Sequence, residues 1–325
     1  MQKRFEILRR LQDGASHSGA EIAAGLNITR AAIWNHVKRL QAQGVPIHAV
    51  RGKGYRLPGG YEFLDGEAIR RCLDANAAMR LAKLEVVTVT DSTNQRLLLA
   101  AGRGDIHAQA CLAEYQTAGR GRRGDRWFAP PGSGVCLSLG WRFETPPATL
   151  SALGLCIGIA VVRALTAVGA RALGLKWPND VLYAGRKLAG ILIEMRSEFG
   201  GPCVVVIGIG VNVHLDTGAR ARIPQPTADL AEACGAPVSR NRVVAALIDA
   251  LFAALATFGE RGFPPFEAEW RHVDALDGRR VRLDLPARAV VGIARGVSPA
   301  GMLMIEHDER LEGFVSGQVR LEGET

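Results

Sequence analysis

Cysteine, aromatic residues and long uncharged runs are all scarce in this chain of 325 residues. The six cysteines are scattered, with no C-x-x-C pair, which argues against a structural zinc site and against a disulfide framework. The longest uncharged run, between Glu144 and Arg163, contains two prolines and is too short and too polar to cross a membrane. The N-terminal residues carry frequent charges and no apolar signal segment. These absences predict a cytoplasmic protein with no membrane partner.

Several common catalytic motifs are also missing. The chain has no G-x-x-x-x-G-K-[ST] phosphate loop, and we find no convincing Ser-His-Asp set or catalytic cysteine. Residues Gly119 to Gly124 match G-x-G-x-x-G, but in a dinucleotide-binding motif of that form a helix begins at the glycines. Pro130 and Pro131 follow closely here, so the segment predicts a glycine-rich loop between strands. Its arginines can neutralise phosphate, although by itself a solvated basic loop is a competing interpretation.

Positive charge is concentrated at the N-terminus. Residues 1–60 hold ten basic and three acidic residues, a net charge of +7, whereas the other 265 residues carry a net charge of only +1. A basic module on a nearly neutral body predicts nucleic acid as the partner of that module. The alternative is a basic module that only keeps the protein soluble.

The order of predicted elements indicates an α+β protein with three domains. Residues 1–60 predict a winged helix-turn-helix, built from three helices and a hairpin. Residues 61–275 predict a central domain with a mixed, largely antiparallel sheet, and include a helix over 149–168. Residues 276–325 contain short alternating runs separated by turns, including one over 313–319, and predict a small SH3-like β barrel.

The third predicted helix has two distinct faces. Ile33, Val37 and Leu40 repeat at helical spacing and form its apolar face. In a winged helix-turn-helix this helix enters the major groove of DNA. The residues predicted to contact DNA, on the opposite face and at the tip of the wing, are Arg30, Trp34, Asn35, Lys38, Arg51 and Lys53. The alternative is a winged helix that serves only protein contacts.

The segment KWPNDVLYAGRKLAGILIE predicts a hairpin with a two-residue turn at Ala184-Gly185. In that register Leu182 faces Lys187, and Asp180 lies two residues from Leu182 on the same face of the sheet. A carboxylate and an ammonium group placed together suit a polyanionic substrate and an incoming amine. The competing interpretation is a surface ion pair worth roughly 0–1 kcal/mol.

Two shorter segments are less specific by themselves. The segment DSTNQ follows a strand and begins a helix, so Ser92 and Thr93 can be simple helix caps. The segment GIGVNV, which ends at Val213, predicts a strand whose glycines permit close approach of backbone or ligand.

Taken in order, DSTN, EYQTAGRGRRG, the tryptophan that follows it, KWPND, RKLAGILIE and GIGVNV resemble the bacterial biotin–protein ligases, specifically the bifunctional type known as the biotin operon repressor. The resemblance covers essentially the whole chain. It implies an ATP- and Mg²⁺-dependent ligase that activates biotin as biotinoyl-5'-AMP and transfers it to a lysine of biotin carboxyl carrier protein. It also implies a homodimer that binds operator DNA and represses biotin synthesis genes.

The same resemblance implies roles for individual residues. Lys187 would contact the biotin carboxylate and stabilise charge as it attacks the α-phosphate of ATP. Asp180 would orient the carrier lysine and help it lose its proton, and Arg122 would keep the mixed anhydride sequestered. The residues expected to contact biotin or the adenylate are Ser92, Thr93, Asn94, Gln116, Arg120, Gly121, Arg122, Lys187, Gly190 and Asn212. Magnesium would arrive with ATP, and no protein ligand for a metal is predicted.

The chain departs from the family pattern at two places. Asp125 follows the GRGRRG segment where the family often has a basic residue. The segment from Thr217 to Leu230 has no aromatic residue to cover adenine, and Thr227 falls near the expected position. We therefore expect weaker coupling between adenylate binding and dimer formation than in relatives that have the aromatic residue.

The sequence leaves three alternatives to a bifunctional ligase and repressor. The first is a ligase whose winged helix no longer represses, and the second is a lipoate–protein ligase. The GRGRRG and KWPND segments argue against lipoate. The third is a non-enzymatic ligand sensor, and the presence of Lys187, Asp180, Arg120 and Arg122 argues against it.

Overall fold

We describe the protein from a computed structural model that covers residues 1–144, 150–197 and 203–322, with the side chains of residues 150, 151 and 197 left out. Thr149, where the sequence places the start of a helix, lies outside the described residues. The same is true of residues 323–325 at the end of the predicted third domain.

The N-terminal unit is a winged helix-turn-helix. Its elements are α1 (Gln2–Arg10), β1 (Ser16–His17), α2 (Gly19–Leu26), α3 (Arg30–Ala42), β2 (His48–Val50) and β3 (Gly54–Arg56). The strands pair in the order β1-β3-β2. Thr29 begins α3 because its hydroxyl accepts a hydrogen bond from the Ala32 N–H at 3.1 Å. As predicted, α3 buries Ile33, Val37 and Leu40.

The central unit is built on a seven-stranded sheet with the strand order β4-β5-β6-β10-β9-β8-β7. Its strands are β4 (Lys83–Thr90), β5 (Gln109–Gln116), β6 (Gly134–Phe143), β7 (Leu173–Lys176), β8 (Asp180–Tyr183), β9 (Arg186–Ser197) and β10 (Cys203–Asn212). Its helices are α4 (Gly66–Cys72), α5 (Ala75–Arg80), α6 (Thr93–Ala101), α7 (Leu150–Ala167), α8 (Thr217–Arg220), α9 (Leu230–Cys234), α10 (Arg240–Arg261) and α11 (Glu267–Val273). Only β4 and β5 pair in parallel, so the sheet is largely antiparallel, as the sequence predicts.

Helices α7 and α10 pack against each other beside this sheet. Within the described ranges, α10 is the single helix long and apolar enough to cross a membrane. It nevertheless buries Val243, Leu247, Leu251 and Phe258 inside the protein. Its apolar residues are therefore accounted for by the core of the central unit.

The C-terminal unit is an antiparallel sheet with the order β14-β13-β12-β11-β15. Its strands are β11 (Arg280–Asp284), β12 (Ala289–Val297), β13 (Leu303–His307), β14 (Arg310–Phe314) and β15 (Gln318–Leu321). The prediction of one strand over 313–319 was wrong, because the chain turns at 315–317. Gly317 allows this turn to lie against the core, since a Cβ there would stand 2.0 Å from Leu283 Cδ1.

The hydrophobic core has two main parts. One lies inside the winged helix and includes Tyr61, just after the Pro58-Gly59-Gly60 segment. The other is continuous through the central and C-terminal units. The connection between the two parts is fixed by a buried pair, in which Arg240 Nη1 lies 2.9 Å from Glu114 Oε2. The Tyr61 hydroxyl donates to the same Glu114 oxygen at 2.8 Å.

Candidate active site

Lys187 and Asp180 form an ion pair with 2.8 Å between Nζ and Oδ1. The β8–β9 hairpin brings them together, with Leu182 opposite Lys187 as the sequence predicts. Ala184 and Gly185 both have positive φ angles, 49° and 73°, which is the backbone geometry of a tight two-residue hairpin turn. The two charged side chains are only 18% and 21% exposed, so this pair is more enclosed than an ordinary surface ion pair.

The GRGRRG segment is a loop that folds back on itself. The Trp127 N–H donates to the Gly119 carbonyl at 3.0 Å, and the Gly121 N–H donates to the Asp125 carbonyl at 2.7 Å. A short 3-10 turn over Arg122–Gly124 lies between these bonds. The loop connects β5 to β6 and opens no long helix, which confirms the prediction of a loop between strands.

Two arginines of the loop point toward the sheet. Arg122 is half-buried and its Nη1 donates to Asn179 Oδ1 at 3.4 Å, next to Asp180 in the chain. Burial lowers the pKa of Arg122, and the nearby Arg123 lowers it further. Arg120 pairs with Glu194 at 2.8 Å. The loop is thus tied to both β9 and the β7–β8 connection.

Trp127 covers the β9–β10 pair near one of its ends. Gly190 and Gly210 are partners in register there, and a Cβ on Gly210 would stand 2.3 Å from the Trp127 ring. A Cβ on Gly190 would stand 3.2 Å from the same ring. The Lys187 ammonium lies 5.9 Å from the ring centroid. At Gly210 any side chain would force the indole to shift, whereas at Gly190 a Cβ would make a tight contact with the ring.

The DSTN segment forms a second wall of the site. Ser92 is the N-cap of α6, as the simple capping interpretation expects. Ser92, Thr93 and Asn94 are all buried, and both the N–H and the hydroxyl of Thr93 donate to Gln116 Oε1, at 2.7 and 3.1 Å. The Ser138 hydroxyl lies 2.7 Å from Thr93 Oγ1 and 2.5 Å from Asn94 Oδ1. This wall is therefore a hydrogen-bonded network and not only the start of a helix.

Asn94 also crosses to the central strands. Its Nδ2 donates to Glu194 Oε2 at 2.9 Å. Its amide rests on Gly208, where a Cβ would stand 2.4 Å from Asn94 Oδ1. The glycines of the GIGVNV strand thus permit close approach of Asn94 and of Trp127. Arg120, through Glu194, belongs to the same chain of contacts.

Asn212 and the segment after β10 hold the backbone of Lys187. The Lys187 N–H donates to the Pro226 carbonyl at 3.0 Å, and the Ala228 N–H donates to the Lys187 carbonyl at 3.0 Å. Asn212 Nδ2 donates to the carbonyls of Lys187 and Ala228, at 3.4 and 3.2 Å. Thr227, which the sequence places near the adenine position, is buried. Its backbone pairs with that of Lys187 in an isolated parallel β-bridge.

The structure therefore brings the predicted ligase residues into one region. Asp180, Lys187 and Gly190 lie on the β8–β9 hairpin, and the other predicted residues surround it. Four residues of this region were not among the predicted site residues: Trp127, Ser138, Asn179 and Glu194. Of these four, Trp127, Asn179 and Glu194 stand within the motifs that carry the family resemblance, and Ser138 lies outside them. The pairing of two glycines across β9 and β10 is the signal that predicts a bulky ring above them.

The residues predicted to contact DNA form a separate surface. Arg30, Trp34, Asn35 and Lys38 are exposed on α3, and Arg51 and Lys53 are exposed at the tip of the wing. None of the eleven residues predicted for the ligase site belongs to this unit. The molecule thus carries two distinct candidate sites.

A protein-bound metal centre is not evident in the part of the chain that the structure describes, where no three His, Cys, Asp or Glu residues group together as metal ligands. The positive charges of the candidate active site come from Lys187, Arg120 and Arg122, and the negative charges beside them come from Asp180 and Glu194. Basic side chains in this arrangement suit phosphate chemistry that relies on charge neutralisation and positioning.

Comparison with known proteins matches two separate parts of the chain. The profile of the Biotin/lipoate A/B protein ligase family matches residues 86–212, and the profile of an HTH domain matches residues 3–56. The chain is 39% identical over 318 residues to the bifunctional ligase/repressor BirA of Salmonella typhimurium, covering 97% of this chain and 96% of that protein. It is 38% identical over 320 residues to BirA of Escherichia coli, covering 98% and 96%.

A solved structure has a similar fold over most of the chain. The biotin protein ligase from Aquifex aeolicus, in complex with biotin and ATP, superposes with a TM-score of 0.64 at 27% identity. That match covers 74% of this chain and 99% of the Aquifex chain. With the two profiles and the near-complete match to both ligase/repressors, the chain belongs to the biotin–protein ligases of the bifunctional ligase/repressor type.

Proposed function

We propose that the central site joins biotin to ATP, with Mg²⁺, and then transfers biotin from biotinoyl-5'-AMP to a lysine of biotin carboxyl carrier protein. The observation that carries the proposal is the enclosed Lys187–Asp180 pair, with its 2.8 Å separation, beside the arginine loop and beneath Trp127. The names of the relatives and the biotin and ATP complex of the Aquifex ligase support the choice of substrates.

In the first step a biotin carboxylate oxygen attacks the α-phosphorus of ATP and pyrophosphate leaves. Lys187 holds the carboxylate and offsets the charge that develops at phosphorus, with Arg120 and Arg122 nearby. The Trp127 ring lies on Gly190 and Gly210, next to the Lys187 ammonium.

Biotin itself is held by the wall that contains the DSTN segment. Ser92, Thr93, Asn94 and Gln116 present hydroxyl and amide groups suited to a ureido ring, which both donates and accepts hydrogen bonds. Gly190 lies between the Trp127 ring and the Lys187 side chain, and Gly121 lies against Asp125 in the loop. Asn212 acts through the backbone of Lys187 and positions that residue.

In the second step the amine of the carrier lysine attacks the anhydride carbonyl, a C–N bond forms and AMP leaves. Once Lys187 contacts the ligand, its ion pair with Asp180 is weakened and the carboxylate can accept a hydrogen bond from the incoming amine. Asp180 then orients this amine and helps it lose its proton. One ion pair thus serves both steps in turn.

Magnesium is expected to accompany the phosphates of ATP, because Mg²⁺ keeps several waters and commonly binds through substrate phosphates. When bound it neutralises phosphate charge. The residues of this chain that act beside it are Lys187, Arg120 and Arg122.

For the regulatory half, we propose a homodimer that forms with biotinoyl-5'-AMP and places two copies of α3 in successive major grooves of operator DNA. The exposed residues Arg30, Asn35, Lys38, Arg51 and Lys53 support this assignment. We propose the domain boundaries 1–60, 61–275 and 276–325, and a cytoplasmic location, which agrees with the burial of α10 in the core.

The test of the ligase proposal is incubation of the protein with ATP, Mg²⁺, biotin and a purified carrier domain. We expect the carrier mass to increase by one biotinoyl group, and no increase with lipoate in place of biotin. Modification with lipoate alone, or no modification, would contradict the proposal.

The test of the dimer is sedimentation with and without biotinoyl-5'-AMP, followed by DNA binding at fixed salt concentration. We expect mass and DNA affinity to rise together with ligand. If the protein with ligand stays monomeric at micromolar concentration and binds DNA no better than without ligand, the proposal of a repressor is contradicted. The proposal of a ligase is not affected by that result.

A further inference from the structure

Trp34 is a large apolar side chain that the fold leaves in solvent. It lies on α3, the helix proposed to enter DNA, and is 53% exposed. The core of the winged helix is made by Ile33, Val37 and Leu40 on the opposite face. Trp34 therefore contributes little to the stability of this unit, and exposure of its ring indicates another use.

The ring is held by a neighbouring charge. The Lys38 ammonium, one helical turn further along α3, lies 5.7 Å from the centroid of the Trp34 ring. An ammonium over an indole face is attracted by the π-system, which favours one orientation of the ring on the helix surface. The ring is thus presented together with a cation that can contact phosphate.

The charge around Trp34 decides which partner it meets. Arg30, Asn35 and Lys38 are exposed on the same helix, and residues 1–60 carry a net charge of +7. Such a surface attracts a polyanion and repels a second copy of itself. Among the edges of base pairs in the major groove, the C5-methyl group of thymine is the apolar one.

We infer that Trp34 reads thymine in the operator through contact between its ring and the C5-methyl group. This inference rests on the proposal that α3 enters the major groove. It assigns to Trp34 a specificity for one base, whereas Lys38 contributes a contact that does not depend on sequence. Arg30 and Asn35, with side chains suited to guanine and adenine, flank this apolar contact.

The experiment begins with a duplex chosen by selection from a random pool, using the full-length protein with biotin, ATP and Mg²⁺. Each thymine of the selected site is then replaced by deoxyuridine, which removes only the methyl group. We expect one or two positions where affinity falls about fourfold per methyl, which corresponds to about 0.8 kcal/mol for one buried carbon. Replacement of thymines in the flanking DNA serves as the control and leaves affinity unchanged.

Variants connect the methyl group to Trp34. Trp34→Ala is expected to weaken binding of the thymine duplex and to abolish the difference between thymine and deoxyuridine, whereas Trp34→Phe keeps part of it. The matched control is Leu311→Ala, another exposed apolar residue at 58% exposure, located in the C-terminal sheet. It is expected to change neither affinity nor discrimination.

The outcomes separate the inference from the proposal beneath it. If no duplex is selected and the protein does not bind DNA, both fail. If the wild-type protein binds a selected duplex but deoxyuridine has no effect at any position, or if Trp34→Ala retains the full thymine preference, the inference fails while DNA binding stands. If Trp34→Ala instead loses only self-association or carrier modification, Trp34 faces a protein and the inference is overturned.

Discussion

Arg222, in the segment after α8, donates a hydrogen bond to the main-chain carbonyl of Ala42 at the C-terminal end of α3. The same guanidinium stacks on Phe128, at 4.9 Å from its ring centroid. Phe128 directly follows Trp127 of the active-site loop. One cation therefore touches both the loop of the ligase site and the end of the helix proposed to bind DNA, where the helix dipole favours positive charge.

We expect Arg222→Ala to weaken operator binding about fivefold, which corresponds to about 1 kcal/mol for a helix-end cation with an exposed cation–π contact. The reason is that a dimer must present two copies of α3 at a fixed spacing. Adenylate synthesis should stay near the wild-type rate. DNA titration measures operator affinity, and pyrophosphate release measures adenylate synthesis. The control is Arg103→Ala, which replaces an exposed arginine. Equal DNA affinity of the Arg222 and Arg103 variants would contradict the prediction.

Lys187→Ala should reduce adenylate synthesis by about 10²- to 10³-fold, the loss typical of removing one group that stabilises charge in the transition state. The ammonium is the cation paired with Asp180 at 2.8 Å in the enclosed site. Pyrophosphate release measures the effect. The control is Lys83→Ala, at the exposed start of β4. A near-normal rate of adenylate synthesis in the Lys187 variant would show that Lys187 takes no part in the mechanism.

Arg122→Gly should release biotinoyl-5'-AMP and lead to labelling of many lysines, because this half-buried arginine fastens the loop to Asn179. Mass spectrometry of a mixture of the carrier and an unrelated protein detects this change. Arg123→Gly is the matched control, since Arg123 is exposed and already has a positive φ of 54°. Labelling confined to the carrier in the Arg122 variant would show that the loop is not a lid.

Glu114→Gln should lower the free energy of unfolding by about 3 kcal/mol, because it leaves the Arg240 guanidinium buried without its counter-charge. Both side chains of the pair are 4% exposed. Urea unfolding followed by tryptophan fluorescence measures the loss. Glu144→Gln, whose side chain is 78% exposed, is the control and should change stability little.

A pH dependence is expected in the C-terminal unit. Hydrogen bonds to Glu312 at 2.8 Å and to Asp308 at 3.3 Å raise the pKa of His307 above its usual 6.5. A raised pKa in the folded state stabilises the protein below pH 6.5, and this contribution is lost as the pH rises through the folded-state pKa. His307→Gln should therefore lower the free energy of unfolding at pH 6 and change it little at pH 9. Urea unfolding at the two pH values measures the difference. An equal loss of stability at both pH values would contradict the assignment.

The approach of Lys187 to Asp180 was predictable because a two-residue turn fixes the register of a hairpin, and register fixes which side chains share a face. Strand β7 and the short helices α5, α8 and α9 were not predicted, since runs of four to six residues carry too little periodicity. The break between β14 and β15 was also missed, because it depends on how closely Gly317 approaches Leu283.

The sequence by itself determined the Ser92 cap of α6, the hairpin that carries Lys187, the basic N-terminal unit and the family. These features depend on neighbours along the chain or on the order of motifs. Only the tertiary structure decided that Trp127 lies on Gly210, that Arg240 neutralises Glu114 and that Arg222 reaches Ala42. Such contacts join residues far apart in sequence, and their partners are chosen by the packing of whole elements, which no local pattern specifies.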